Sequence, residues 1–460
     1  MTTASGQLAD VYASARFSSL PETAVDDARR AVLDWLGSTL AGSLETPARS
    51  AQAVVRTLGA SSDATVFSSG RSSAAGAALA NGVACHILEL DDVHKGSTMH
   101  AAAPVISAAL AVAEREHVDG RTFLLSVVLG YDAAFRIGEV VNPSHYRFWH
   151  PTGTAATFGA AIAACSLMKA SAAQMQNALG TAGTQAAGLW EFNADGTMSK
   201  HLHPGKAAMN GVLAADLARV GFTGAGGILE GDRGFVRAMS ASTDLSPITR
   251  ELGRTWKIGE NCYKVWSCCG HTHTAIDVAV ELRTKFGVDR MLDDIATIEI
   301  ETYGPGYEIV KEQNPSTTYE AKFSLAYCVA ATLKYGNASL DSFSADHFGD
   351  DGVRDPVIAS LLERTTVSGA DDLTARYPAA WPTRIRLVRR AGKEIRGGSN
   401  YPAGNPENPV TTAQLEQKFA SLVAPRFGDD VTSRALDAVR ALDGTADMAT
   451  VFRDLVPSRA

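Results

Sequence analysis

A chain of 460 residues, 45% hydrophobic and 20% charged, can bury a large core without disulfide or metal staples, and its length is a soft prior for two or three domains. Its formal net charge of −8 argues against nucleic acid or an anionic membrane as a partner, so a site for an anion would need its own local concentration of Lys, Arg or His. The opening MTTASGQLADVYASARF lacks the basic start and apolar run of a secretory signal, and no apolar stretch approaches the roughly 20 residues that span a bilayer. A cytoplasmic protein with no membrane partner is the expectation.

From Pro21 to about Val220 the chain is rich in alanine and reads as successive helices. Val25, Ala28, Val32, Trp35 and Leu36 recur three and four apart on one helical face, with Glu22, Asp26, Arg29 and Arg30 on the other. Further helices are predicted at 49–59, 73–86, 104–116, 121–138, 152–168, 173–188 and 205–220. The run 152–164 (TGTAATFGAAIAA) is almost all small residues, which predicts a central helix closely approached by its neighbours.

After about residue 265 the pattern changes. Ile295–Tyr303 (IATIEIETY) sets Ile298 and Ile300 against Glu299 and Glu301, a strand period of two. Thr383–Leu387 alternates likewise, and Ala391–Gly392–Lys393 reads as a turn into Glu394–Ile395–Arg396. Lys322–Tyr335 reads as a helix, 397–410 as a Gly/Pro/Asn-rich loop, and Thr411 with Gln414 as a capping box opening a final helical segment. The fold class expected is mostly α with an α+β domain: a helical domain over 1–265, a smaller α+β domain over 266–404, and helices over 405–460 returning to the first domain.

Nine of the eleven histidines fall in four short windows: 86–100, 145–150, 201–203 and 271–273. The first holds Asp91, Asp92, His94 and His100. Paired carboxylates beside histidines in a loop can supply a general base and its orienting group, while the plainer reading has the aspartates ending one helix and capping the next. In the second, Pro151 fits a first helical position, which puts His150 near a helix N-terminus where the dipole favours an anion and a neutral imidazole; simple capping is the alternative. In the third, Lys200, His201, His203 and Lys206 have loop composition, and Gly205 then opens an Ala-rich helix. Lysines there can bind carboxylates as point charges, although surface lysines are common.

The fourth window carries Lys264, Cys268, Cys269, His271 and His273. Adjacent cysteines and a His-x-His lack zinc-finger spacing, and Cys262, Cys268 and Cys269 lie too close in sequence for a familiar iron–sulfur arrangement, so no metal is expected. The six cysteines do not form a secreted disulfide framework. No phosphate-binding or dinucleotide-binding glycine motif and no Gly-x-Ser-x-Gly elbow occurs, so no cofactor is expected.

DDVH…H at 91–100, WHPTGT at 149–154, SKHLHPGKAAMNG at 199–211, GFTG…ILEGDRGF at 221–235, YKVWSCCGHTHTAID at 263–277 and YEAKFSLAY at 319–327 resemble signatures of the MmgE/PrpD family. That family includes 2-methylcitrate dehydratase, cis-aconitate decarboxylase and iminodisuccinate epimerase. The resemblance implies a homodimer, a helical domain with a smaller α/β lid domain, an active site between them, and no metal or organic cofactor. It also implies that His100, His150, Lys200 and Lys264 line the site and that Asp91 and Asp92 are its paired-aspartate signature. His94, His203, His271, His273 and Tyr319 complete the expected substrate-binding set. The chain departs from the family pattern where Val93 replaces a hydroxyl residue and where Ala101–Ala102 follows His100. Phe192 and Cys269 stand where certain decarboxylases have other residues.

On this reading the substrate is a small di- or tricarboxylate. Lys200 and Lys264 clamp carboxylates, His100 and His150 exchange protons, and Asp91 or Asp92 orients a histidine. Dehydration of a 2-methylcitrate-like hydroxy acid is the first expectation. An epimerase or isomerase, a decarboxylase, and a non-catalytic carboxylate-binding protein are the alternatives.

Overall fold

The computed structural model describes residues 3–59, 61–290, 292–349, 352–453 and 455. Two compact units divide the chain. The first comprises Met1–Ile87, Asp91–Asn261 and Thr411–Ala460; the second comprises Leu88–Leu90 and Cys262–Val410. Nothing in the local composition signals the three-residue visit at 88–90. Its cause is polar: Lys322 Nζ and Ser267 Oγ donate to the Leu88 carbonyl at 3.1 and 2.9 Å, and Lys264 Nζ donates to the Glu89 carbonyl at 3.1 Å.

The first unit is helical. Its long members include Glu22–Gly42, Ala74–His86, Ala102–Arg115, Gly120–Val141, Ala155–Leu167 and Ser199–Arg219. The small-residue helix Ala155–Leu167 is almost entirely buried, as its composition predicts. At its crossing with Gly120–Val141, a Cβ on Gly159 would lie 2.4 Å from the Gly130 carbonyl oxygen, so only the absence of a side chain permits the approach. Tyr12, Asp132 and Arg136 form a buried polar knot: the Tyr12 hydroxyl and the Arg136 guanidinium both donate to Asp132 Oδ2 at 2.8 Å. Arg136 also donates to the Arg250 and Thr255 carbonyls, pinning an irregular segment. The predicted capping box forms at Thr411 and Gln414 and opens Thr412–Arg440, which is broken at Gly428 (φ 84°). Lys418 returns this helix to Asp34 at 2.5 Å.

Two starts differ from expectation. The third histidine window is not a loop before Gly205: the helix begins at Ser199 and carries Pro204 inside it. Pro204 has no N–H to offer the ladder, and the helix runs through it all the same, so the loop-like composition misleads. The helix after His150 begins at Ala155, because 151–154 forms turns, so Pro151 is not its first residue.

The second unit is built on a four-stranded sheet in the order Thr365–Gly369, Ile295–Thr302, Thr383–Arg389, Glu394–Ser399. The first pair is parallel and the others are antiparallel. Ile298 and Ile300 face the core, where His273–Phe286 and Leu325–Tyr335 pack, and Glu299 and Glu301 stand opposite Arg386 and Arg384. The fold is thus mostly α with a smaller α/β part. None of the six cysteines forms a disulfide, and all are buried. Among the described residues, no helix is long and apolar enough to cross a membrane.

Candidate active site

Three of the four histidine windows converge in the first unit, and a glycine crossing brings two of them together. A Cβ on Gly82 would lie 2.8 Å from the Gly205 Cα, and one on Gly205 would lie 2.5 Å from the Leu79 carbonyl oxygen. Helices Ala74–His86 and Ser199–Arg219 therefore touch backbone to backbone. His86 follows Gly82 by one turn and His201 precedes Gly205 by one turn, and their rings stand 6.1 Å apart.

The remaining rings gather around His86. Its centroid is 4.9 Å from that of His100 and 5.6 Å from that of His150. His150 in turn is 6.2 Å from His100, 5.3 Å from His203 and 5.0 Å from Trp190, with Phe192 at 5.9 Å. The backbone of His150 is fixed by donation to the Gly188 carbonyl at 2.9 Å, beside a short antiparallel bridge between Trp149 and Leu189.

Asp91 and Asp92 do different work. Asp91 Oδ2 is 2.6 Å from His86 Nδ1 and 3.8 Å from His100 Nδ1. The histidine it holds most closely is therefore His86. Asp92 spends its carboxylate on structure: Oδ1 accepts from the Ala102 N–H at 3.0 Å and Oδ2 from the Tyr131 hydroxyl at 2.7 Å. The capping reading holds for this residue. Burial pushes the Asp92 carboxyl up to about 7, against those two bonds. Asp92 nevertheless orients a histidine, through its backbone: its carbonyl lies 2.6 Å from His100 Nδ1. A carbonyl only accepts, so Nδ1 carries the hydrogen and the lone pair of neutral His100 is on Nε2.

Burial drives the His150 imidazole far below its ordinary range, and His203, His86, His100 and Lys200 add to the effect. Burial, rather than the helix dipole, is thus what favours the neutral form of this ring. His203 is pushed down to about 4, by burial first and then by His86, Lys206 and Lys200. His150 Nδ1 and His203 Nδ1 are 3.1 Å apart, so one donates to the other. Lys200, on the first turn of its helix, is buried and acts on both rings.

His94 leaves the group. It stacks on Phe135 at 3.9 Å, bonds Ser97 through Nδ1 and reaches Glu260 through Nε2 at 3.3 Å. Lys257 bridges Glu139 and Glu260 in the same network, and with His94 it holds Glu260 down at about 2 although burial opposes this. His145 is likewise structural, bonded to the Met239 carbonyl and to Thr154 Oγ1.

The fourth window lies in the second unit. Lys264 is buried with Glu89, Nζ to Oε2 at 3.2 Å. His271 bonds the Tyr303 hydroxyl, stacks on Trp381 at 4.7 Å and is pushed down to about 3 by burial, then by Lys264 and His273. His273 Nε2 is 3.3 Å from the Cys268 carbonyl. Tyr319 stacks on Phe323 at 4.9 Å, and burial, with Glu89 and Cys269, raises its hydroxyl.

Two groups of described residues bring three potential metal-ligand atoms within 4.8 Å: His86, Asp91 and His100, and His94, Glu139 and Glu260. In the first, His86 Nδ1 and Asp91 Oδ2 are already engaged with each other at 2.6 Å. In the second, the Lys257 ammonium occupies both carboxylates at 2.8 and 3.0 Å. Both groups are organised for hydrogen bonds and ion pairs.

Models of the MmgE/PrpD N-terminal and C-terminal domains match residues 6–248 and 266–444. The chain belongs to the MmgE/PrpD family. Among its relatives, a cis-aconitate decarboxylase-like protein of Aspergillus oryzae (oryM) is 27% identical over 401 residues, covering 82% of this chain and 81% of its own. The cis-aconitate decarboxylase of Aspergillus terreus is 25% identical over 396 residues, covering 82% and 80%. The human cis-aconitate decarboxylase is 25% identical over 445 residues, covering 94% and 90%. Each of these relatives is named for cis-aconitate decarboxylation, one of the alternatives to dehydration in the sequence analysis.

His86 and His201 are cluster members that the expected site residues omit. His86 was visible as the first histidine of the window 86–100, five residues before Asp91.

Proposed function

We propose that the protein is a cofactor-independent acid–base lyase for a small di- or tricarboxylate. The observation that carries the reading is the pairing of His100, whose Nδ1–H is fixed on the Asp92 carbonyl, with a buried, neutral His150 at 6.2 Å and the Lys200 charge acting beside it. Such a set can take a proton from carbon next to a carboxylate, or give one back. His100 accepts at Nε2, the developing charge spreads into the substrate carboxylate, and Lys200 stabilises it. The His150–His203 pair accommodates the second proton.

Loss of CO₂ from a cis-aconitate-like tricarboxylate is the first reading, supported by the relatives named above. The electrons of the breaking C–C bond pass into the conjugated acid, and His100, having taken a proton from solvent at Nε2, then delivers it to carbon. Burial among Trp190, Phe192 and neutral rings favours a charge-dispersing step of this kind. Loss of water from a 2-methylcitrate-like substrate is the second reading. It needs a base and a separate acid, and the two histidine positions 6.2 Å apart supply both.

The test is turnover of 2-methylcitrate, citrate, cis-aconitate and iminodisuccinate in D₂O, read by mass spectrometry. Decarboxylation yields a product lighter by CO₂ with one deuterium gained, and dehydration yields one lighter by water. Deuterium exchange with neither loss identifies an epimerase. Binding without any turnover or exchange across the panel would leave a carboxylate-binding protein and end the lyase proposal.

A further inference from the structure

The protein contains its own comparison for what a structural histidine looks like. His145 is fully buried and has both nitrogens bonded, Nδ1 to the Met239 carbonyl and Nε2 to Thr154 Oγ1. His94 is buried and bonded at both nitrogens as well. His86 differs. Its ring is fully buried and Nδ1 is 2.6 Å from Asp91 Oδ2, yet Nε2 is buried and finds no hydrogen-bond partner among the described residues. A buried, unsatisfied acceptor is a cost that a residue kept only for packing has no reason to carry.

We propose that His86 is a third proton-accepting position of the site, held and polarised by Asp91. With Asp91 as a carboxylate, which only accepts, His86 Nδ1 carries the hydrogen and Nε2 carries the lone pair. Nε2 takes a proton, from substrate carbon in a dehydration or from solvent in a decarboxylation, giving an imidazolium whose opposite N–H already rests on Asp91. The proton leaves again from Nε2 when the product or solvent is protonated, so the cycle closes without net change. Asp91 both fixes the tautomer and stabilises the charged ring, as a carboxylate does for any histidine it orients. The location fits this task. The ring is the one around which His100, His150 and His201 gather, at 4.9, 5.6 and 6.1 Å. The Gly82–Gly205 crossing holds it there.

This inference rests on the acid–base reading, and its test separates the two. His86→Asn keeps an amide N–H near the Nδ1 position for Asp91 and removes the base. In steady-state kinetics on whichever acid of the panel is turned over, kcat is expected to fall by about 10²–10⁴ and KM to stay within about threefold, with one limb of the pH profile lost. Turnover by His86→Asn within about threefold of wild type, with the pH profile unchanged, overturns the proposal. A second measurement needs no turnover. In ¹⁵N-histidine-labelled wild type, the His86 signal, assigned by its loss in His86→Asn, should show a hydrogenated Nδ1 and a bare Nε2. The Nε2 signal should also move when tricarballylate, an unreactive tricarboxylate, is added. A hydrogen on Nε2, or a signal indifferent to tricarballylate, overturns the proposal even if the lyase reading stands. If no acid is turned over or exchanged, the acid–base reading fails and takes this proposal with it, whereas turnover without the His86 effects overturns this proposal alone.

Discussion

At the scale of single residues, Asp92 shows how one side chain and its own backbone can serve different ends. Its carboxyl caps a helix and receives Tyr131, while its carbonyl sets the tautomer of His100. Replacing Asp92 therefore tests structure first, and the chemistry is better tested on the rings. His100→Ala and His150→Ala should each lower kcat by about 10²–10⁴ with the far-ultraviolet circular dichroism unchanged. Wild-type turnover in both would remove them from the mechanism. A contrasting prediction concerns Arg136, which is fully buried on Asp132. Arg136→Met leaves that buried carboxylate without its cation and should cost about 3–5 kcal/mol in denaturant unfolding, well above the ordinary surface substitution. The residue types of the site were legible in the sequence as histidine windows. Their division of labour was not, because it depends on which oxygen of Asp91 or Asp92 each ring meets, and that follows from long-range packing.

Among elements, the decisive contact is between two glycines. Gly205→Ala would drive a methyl into the Leu79 carbonyl and Gly82→Ala one into the Gly205 backbone, neither of which can swing aside. We expect about 1–3 kcal/mol of destabilisation from Gly205→Ala, together with a loss of activity as His86 and His201 separate. Gly444→Ala, where nothing lies within 4 Å of the added carbon, should stay within about 0.5 kcal/mol of wild type and serves as the control. Helices of this kind were readable from alanine content and periodicity, and so was the alternation of Ile298, Glu299, Ile300 and Glu301. The strand Thr365–Gly369 was not foreseen, because it is short, mostly polar on one face and defined by a parallel partner 67 residues earlier. The start at Ser199 was missed for the opposite reason: Lys, His and Pro gave it the look of a loop, while the tertiary contact at Gly205 made it helical.

For the whole molecule, acid stability carries the signature of buried imidazoles. Burial pushes His145 down to about 4, against its bond to the Met239 carbonyl, while an unfolded histidine titrates near 6.5. Below about pH 6.5 the unfolded chain binds the proton that the native chain refuses, so this contribution is complete above that pH and is lost as the pH falls towards about 4. Asp92, raised to about 7 by burial, runs the other way and loses its contribution as the pH climbs through that value. Because such terms overlap, the prediction is a difference. On going from pH 7 to pH 5, His145→Gln should lose about 2 kcal/mol less stability than wild type. Equal losses in the two proteins would reject it.

The burial of all six thiols turns the protein into its own opening gauge. A thiol-reactive dye should find nothing to label in the native state and all six sulfurs after denaturation. Its slow reaction in between would time how often each compact unit breathes: Cys85 and Cys165 report for one, Cys262, Cys268, Cys269 and Cys328 for the other.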